Sequence, residues 1–217
     1  MIKDLFNCDH TGRMKGDARR EQILKTAVTL FSKRGFSGTT TKEIARAAGV
    51  SEAMVFRHFA SKDELYGEIL ADKACQSGMQ QVPREADPIL KKAIEEKDDY
   101  TFFYHLAVRA LTKQHADIDF MRLLFFSALE EHELAEKFFA DFIGRVYDFI
   151  GEYVKQRQDD GALRGLDSRI VVRAFLGMVI HHSLNNILWD KKRNLLDISN
   201  EEAAKNFAEI ILKGISK

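Results

Sequence analysis

The chain has 217 residues, of which 45% are hydrophobic and 30% are charged. This mixture is typical of a folded globular protein and excludes a collagen-like or an intrinsically disordered chain. The 33 Lys and Arg residues balance the 33 Asp and Glu residues over the whole chain, but residues 1–66 hold 12 basic against 8 acidic side chains. A basic N-terminal part is a weak indication of a polyanionic partner.

Prolines and cysteines are scarce. The two prolines, Pro83 and Pro88, lie close together, and their absence elsewhere favours long helices. Cys8 and Cys75 form no CxxC motif, so neither a disulfide framework nor a zinc site is predicted. The N-terminal segment lacks the apolar core of a signal peptide, and the longest uncharged stretch, residues 174–189, is too polar and short for a bilayer span. We therefore expect a cytoplasmic protein.

The first two predicted helices lie between residues 19 and 48. Apolar residues at helical spacing from Ile23 predict a helix that ends at Gly35. Thr40 and Glu43 have the spacing of a capping box, which predicts a second helix of about two turns ending at Gly49.

A third short helix follows the glycine. Gly49 can adopt the left-handed conformation that reverses the chain, Val50 fills the angle between the helices, and Ser51 caps the next helix. Val55 and Phe59 are four residues apart and should face the core. Two short helices joined by such a turn are the elements of a helix-turn-helix, whose second helix enters the major groove of DNA.

The rest of the chain is also predicted to be helical. Ser61 and Glu64 open a fourth helix, and residues 77–88 interrupt the pattern before Asp87 and Pro88 begin another. No segment alternates as a strand would. Further helices are predicted at 88–97, 99–115, 117–133, 134–158, 168–190 and 199–215.

Residues 19–66 resemble the DNA-binding domain of the tetracycline-repressor (TetR) family, notably in "ILKTAVTLFSKRGFSGTTTKEIARAAGVSEAMVFRHFASKDELY". The resemblance implies an all-α fold: a flexible arm (1–16), a three-helix DNA-binding domain (17–65) and a helical effector-binding and dimerisation domain (66–217). It also implies a homodimeric regulator, by default a repressor, that leaves its operator when a small molecule binds. No catalytic residue, metal or cofactor is expected.

The resemblance assigns roles to residues of the motif. Thr41 and Lys62 match positions that bind phosphates in the family, next to helix N-termini that favour anions. The positions that reach bases or nearby backbone hold Lys42, Glu52, Ala53, Met54, Arg57 and His58. Arg57 could bind a guanine bidentately, whereas Phe56 stands where the family often has tyrosine and retains only apolar contact. For His58, a buried position and a DNA contact are both open.

Beyond residue 66 the resemblance concerns architecture alone. Nine of the 16 phenylalanines lie between Phe102 and Phe149. Core filling explains most of them, and the excess favours an aromatic-lined pocket for an apolar effector. The candidate pocket residues are Tyr104, His105, Phe125, His181, Asn185 and Trp189.

The predicted helix at 168–190 is apolar on nearly every side and must be covered all round. In the family this helix and the last one build a four-helix dimer interface, although an intrachain core would explain both patterns. A twofold dimer would read a palindromic operator. The candidate interface residues are Val171, Phe175, Met178, Val179, Phe207 and Ile211.

Two other classes of protein remain open. A metal-bearing helical bundle would use ExxH pairs, but none of the seven histidines has a glutamate three positions before it. The "EEHE" sequence at 130–133 favours a capping, solvated or partner-facing role over a metal site. An effector-independent architectural or adaptor DNA-binding protein is the other class, and effector-dependent release from one operator would argue against it.

Overall fold

The computed structural model describes residues 18–76 and 87–217, and within these ranges it contains no strand. The predicted N-terminal arm at 1–16 and most of the predicted break at 77–88 lie outside the described residues. One isolated antiparallel bridge joins Leu163 to Ser216. The described part of the chain is thus all-helical, as the sequence predicts.

Eleven α-helices and two π-helical segments occupy the described residues. The helices are α1 (Ala18–Arg34), α2 (Thr41–Ala47), α3 (Glu52–His58), α4 (Lys62–Gln76), α5 (Pro88–Glu95), α6 (Asp99–Ala116), α7 (Ile118–Leu129), α8 (Glu133–Phe138), α9 (Gly144–Asp159), α10 (Ser168–Leu184) and α11 (Asn200–Ile215). The π-helical segments, Phe139–Ile143 before α9 and Asn185–Trp189 after α10, were not predicted.

The caps that the sequence predicts are present. Thr40 and Glu43 form both hydrogen bonds of the capping box at α2, and the Ser51 side chain accepts a hydrogen bond from Met54 N at α3. The Asp87 carboxylate accepts from the first backbone amides of α5, which begins with a proline. Gly49 has a φ of 65°, the left-handed conformation expected at the turn.

The described helices divide between two compact units. The first contains α1–α4 together with α7, α8 and residues 139–142 of the first π-helical segment, and the second contains the others. Residues 66–217 were expected to form one domain, whereas Phe120 and Leu123 of α7 are buried in the same core as Phe31. The Tyr66 hydroxyl donates a 3.2 Å hydrogen bond to Leu123 O. Hydrophobic packing of α7 on α1 and α4 explains this grouping.

The second unit has its own core, built largely from the phenylalanine-rich helices. Phe102 stacks on Tyr153 with ring centroids 3.8 Å apart, and Phe103 meets Phe175 edge-on at 5.1 Å. Core filling therefore accounts for these aromatic residues.

The predicted dimer residues lie in or against this core. Val171, Phe175, Val179 and Ile211 are buried within the chain itself, and Met178 and Phe207 are partly buried against them. Since α10 is apolar on most sides, its sequence does not distinguish the face that the chain covers from the face that it leaves exposed.

Candidate nucleic-acid interface

The helix-turn-helix consists of α2, the turn at residues 48–51 and α3. Within the turn, Gly49 N donates to Arg46 O at 3.2 Å and Val50 N donates to Ala45 O at 3.0 Å. The side chains that hold the two helices together are fully buried: Ile44, Ala45, Ala48, Val55 and Phe59. Burial of Val55 and Phe59 confirms the predicted inward face of α3.

The opposite face of α3 is exposed. Ala53, Phe56 and Arg57 all lie on it, and 47% of Phe56 is accessible. Within the described part of the chain, no hydrogen bond or ion pair engages the Arg57 guanidinium. Met54 and His58 are half-buried at the edges of the face. An unpaired guanidinium beside an apolar ring can recognise a guanine and a neighbouring thymine methyl group.

The first turns of α2 and α3 are joined by a hydrogen bond that the sequence analysis did not predict. Thr41 Oγ1 donates to Glu52 Oε1 at 2.6 Å. Both residues are predicted DNA contacts, and the structure brings them together. A phosphate bound by Thr41 would therefore lie close to a carboxylate, which repels it.

The Lys62 ammonium group is hydrogen-bonded to backbone carbonyl groups of the chain itself. Its Nζ donates to Phe36 O at 2.9 Å and to Thr39 O at 3.1 Å, and it lies 3.9 Å from the centroid of the Phe36 ring. The phosphate contact predicted for Lys62 would have to use the third N–H bond of the same ammonium group. Lys42, by contrast, is exposed on α2.

The N-terminus of α2 carries a compact charge network. Glu43 accepts hydrogen bonds from Thr40 N and from Arg34 Nη1, at 3.0 and 2.9 Å. The Thr40 hydrogen bonds, helped by Arg34, hold the pKa of Glu43 below its ordinary value. Glu43 is therefore ionised at neutral pH and fixes the start of α2 in place.

Comparison with known proteins agrees with this geometry. Residues 23–69 match the profile of the family described as "Bacterial regulatory proteins, tetR family". These residues carry a DNA-binding domain of the TetR type. The relatives that match the chain are described as HTH-type transcriptional regulators or repressors.

Sequence identity to the relatives is higher over short segments than along the whole chain. The HTH-type transcriptional repressor KstR2 of Mycolicibacterium smegmatis is 38% identical over 55 residues, which span 25% of this chain and 27% of KstR2. YvkB of Bacillus subtilis, an uncharacterised HTH-type transcriptional regulator, is 25% identical over 204 residues, covering 90% of this chain and 96% of YvkB.

Solved structures share the fold along most of the chain. The structure of NalD from Pseudomonas aeruginosa, the secondary repressor of the MexAB-OprM multidrug efflux pump, has a TM-score of 0.65 at 22% identity over 92% of this chain and 96% of NalD. The ketosteroid transcriptional regulator KstR2 of Mycobacterium tuberculosis has a TM-score of 0.63 at 20% identity over 93% of this chain and 96% of KstR2. Likeness at this level of identity concerns the fold alone.

The predicted effector-pocket residues make several separate contacts in the structure. Tyr104 stacks on Tyr100 at 5.9 Å, and His105 Nε2 lies 2.8 Å from the buried Asp87 carboxylate. A separate cluster at the C-terminal end of α10 contains His181, Asn185 and Trp189. In it, Asn185 Nδ2 donates a hydrogen bond to His181 O at 2.9 Å. Phe125 belongs to the other compact unit.

Two further features are absent from residues 18–76 and 87–217, the part of the chain that the structure describes. There, no group of three or more His, Cys, Asp or Glu side chains is arranged to hold a metal ion. The helices of the same ranges include none with the length and apolar character needed to cross a membrane.

Proposed function

We propose that the chain is a homodimeric cytoplasmic repressor whose α3 reads an operator in the major groove and which leaves the operator when an apolar or aromatic molecule binds. The exposed face of α3, with its unpaired Arg57 beside Phe56, carries this proposal. In it Arg57 reads a guanine, Phe56 contacts a thymine methyl group and Glu52 accepts from a cytosine amino group. Further contacts to bases or backbone come from Thr41, Lys42, Ala53, Met54 and His58.

Selection of duplexes from a random-sequence pool tests the DNA-binding part. We expect the wild-type chain to enrich a palindrome whose half-sites are about one helical turn apart or slightly more. Binding of all duplexes with equal affinity would contradict the repressor and favour the architectural alternative. Fragments of the source genome selected in the same way would give the natural operator.

The proposed dimer uses the outward face of α10 and α11 and not their buried residues. Ile170 on α10 is 61% exposed and Ile210 on α11 is 58% exposed. Ala174 is exposed too, and a Cβ on Gly177 would point into open space, with no atom within 4 Å apart from its chain neighbours and the backbone of its own helix. Small residues between large apolar ones let a second helix approach closely, and this face supports a four-helix interface between two chains.

A charged residue on this face should separate the subunits. We expect the wild-type chain to be a dimer by light scattering at micromolar concentration and the double variant Ile170→Lys, Ile210→Lys to be a monomer. Ile89→Lys is the matched control, because Ile89 on α5 is 50% exposed but lies on neither helix. A dimeric double variant, or a monomeric wild type, would reject the proposed interface.

The proposed effector site lies around three basic side chains of the second unit: His115, His182 and Arg193. Arg193 Nη2 lies 3.3 Å from His115 Nε2. Because arginine only donates, the proton of a neutral His115 is on Nδ1, which is buried and has no partner among the described residues. The His182 ring packs edge-on against Phe207 at 5.6 Å. An apolar molecule with one hydrogen-bond acceptor fits these surroundings.

The fluorescence of Trp189, the only tryptophan, provides a test. Titration with a panel of steroids and fatty acids should identify a ligand that changes the emission and releases the selected operator. We expect His115→Leu to weaken that ligand about tenfold, as for a lost hydrogen bond to a buried group. A ligand that binds tightly and leaves DNA affinity unchanged would contradict the sensor and favour the effector-independent alternative.

A further inference from the structure

The turn between α1 and α2, residues 35–40, is held from two sides by charged side chains. On one side the Glu130 carboxylate accepts hydrogen bonds from Phe36 N at 2.8 Å and Ser37 N at 3.0 Å. On the other side the Lys62 ammonium donates to Phe36 O at 2.9 Å and to Thr39 O at 3.1 Å. The backbone N–H and C=O groups of this turn, which have no helical partner, are thereby hydrogen-bonded to a carboxylate and to an ammonium group. Hydrogen bonds to charged groups are stronger than those between neutral groups.

The fit between Glu130 and the turn is close. A Cβ on Gly35 would lie 2.6 Å from Glu130 Oε1 and 3.0 Å from Phe126 Cδ1. Gly35 also has a φ of 73°, which other residues rarely adopt. Glycine is therefore required here both for the backbone conformation and for the approach of the carboxylate.

Glu130 is itself firmly placed. It follows the last turn of α7, which closes with hydrogen bonds from His132 N to Ser127 O at 2.9 Å and from Glu131 N to Ala128 O at 3.3 Å. The Phe36 ring packs against the His132 ring at 4.7 Å and against the Tyr66 ring at 5.2 Å. The aromatic contacts and the two backbone hydrogen bonds thus attach the turn to α4 and α7.

We propose that Glu130 is a positioning residue for DNA binding, acting through the turn that leads into α2. The turn ends at Thr40, the N-cap of α2, and Thr41 and Lys42 follow it directly. With the Glu130 carboxylate in place, these residues are held in register with α3. Without it, Phe36 N and Ser37 N lose their acceptor and the start of α2 is less well fixed. The proposal rests on the proposed DNA-binding role of α2 and α3.

The direction of the change in DNA affinity distinguishes a positioning role from a purely electrostatic one. Loss of a negative charge from a DNA-binding domain should by itself strengthen binding to a polyanion. A positioning role predicts the opposite result, a weaker complex. Glu133→Gln is the matched control, because Glu133 is three residues away, exposed, and changes the net charge by the same amount.

The experiment measures the affinity of three chains for the duplex that the wild type selects from a random pool. We expect Glu130→Gln to bind about tenfold more weakly than wild type, as for one lost charge-assisted hydrogen bond, and Glu133→Gln to bind equally or more tightly. The salt dependence should be the same in all three, because no phosphate contact is removed. Thermal unfolding confirms that each chain is folded at the assay temperature.

Amide hydrogen exchange in the free proteins provides a second readout that needs no DNA. The amides of Phe36 and Ser37 should exchange faster in Glu130→Gln than in Glu133→Gln, while amides in α9 and α11 stay unchanged. If the amides of Phe36 and Ser37 exchange at equal rates in the two variants, or if both variants bind the duplex like wild type, the positioning role is wrong. If the wild type selects no duplex but the exchange difference is present, the proposed function fails and the Glu130 contact stands.

Discussion

Thr41 and Glu52 couple the two helices of the DNA-binding motif, because the Thr41 hydroxyl donates to the Glu52 carboxylate at 2.6 Å. Their predicted roles differ, one for a phosphate and one for a base. While this bond lasts, Thr41 can offer DNA only acceptor lone pairs, and an ionised carboxylate offers only acceptors as well. A change at Glu52 therefore alters what Thr41 can bind.

We expect Glu52→Gln to increase affinity for random duplex DNA and to reduce selectivity. Neutralising the carboxylate removes repulsion from the phosphates, which we expect to strengthen non-specific binding about three- to tenfold at low salt. Discrimination at a cytosine read by Glu52 should fall by about 1–3 kcal/mol. Binding to the selected duplex and to a scrambled one measures both effects. Glu95→Gln makes an equal charge change on α5 and should change neither the affinity for random DNA nor the selectivity. Identical behaviour of the two variants would exclude Glu52 from the interface.

Arg57 should contribute to specificity through the shape of its guanidinium and not only through its charge. We expect Arg57→Ala to lose about 1–3 kcal/mol on the selected duplex, with a much smaller loss on scrambled DNA. Arg57→Lys retains the charge but cannot form the bidentate pair, so it should resemble alanine on the selected duplex. Competition binding with both duplexes measures the difference. If Arg57→Lys binds the selected duplex as tightly as wild type, the charge alone is sufficient, and this would show that Arg57 contacts phosphate.

Local signals made the DNA-binding motif predictable. The cap at Thr40, the turn at Gly49 and the inward pair Val55 and Phe59 each depend on residues within a few positions of one another. The contact between Glu130 and Phe36 joins residues 94 positions apart, and only tertiary packing creates it. The "EEHE" sequence leaves a capping, a solvated and a partner-facing role open, and it does not show what Glu130 contacts.

The second unit was harder to predict because its helices are apolar on several sides. Burial of Phe175 could mean an intrachain core or a subunit interface, and periodicity does not separate the two. The π-helical segment 185–189 also changes the direction of the side chains after α10, so a regular 3.6-residue repeat misplaces Trp189, which is 66% exposed.

The stability of the second unit should depend on pH through His182. Burial, followed by the nearby positive charge of Arg193, lowers the pKa of His182 below its ordinary value of 6.5. As pH falls below about 6.5, the unfolded chain binds a proton that the folded chain does not, so the free energy of unfolding falls by at most about 1.4 kcal/mol per pH unit. Above 6.5 this contribution is fully present.

Denaturant unfolding between pH 5.5 and 7.5 measures this dependence. We expect His182→Gln to flatten it, because glutamine does not titrate. His181→Gln is the matched control: His181 is the adjacent residue but is exposed. An equal pH dependence in His182→Gln and wild type would assign the effect to other groups.

Lys62 and Lys42 should affect DNA binding in different ways. The Lys62 ammonium is bonded to Phe36 O and Thr39 O, so Lys62→Met should weaken binding by releasing the turn before α2 while leaving the salt dependence unchanged. Lys42 is exposed on α2. If it contacts a phosphate, Lys42→Met should reduce the slope of log affinity against log salt by about 0.9. Titrations of the selected duplex from 50 to about 200 mM salt, the range over which phosphate contacts dominate the change in affinity, separate the two. A smaller slope of log affinity against log salt for Lys62→Met would support the phosphate contact that the sequence predicts for Lys62.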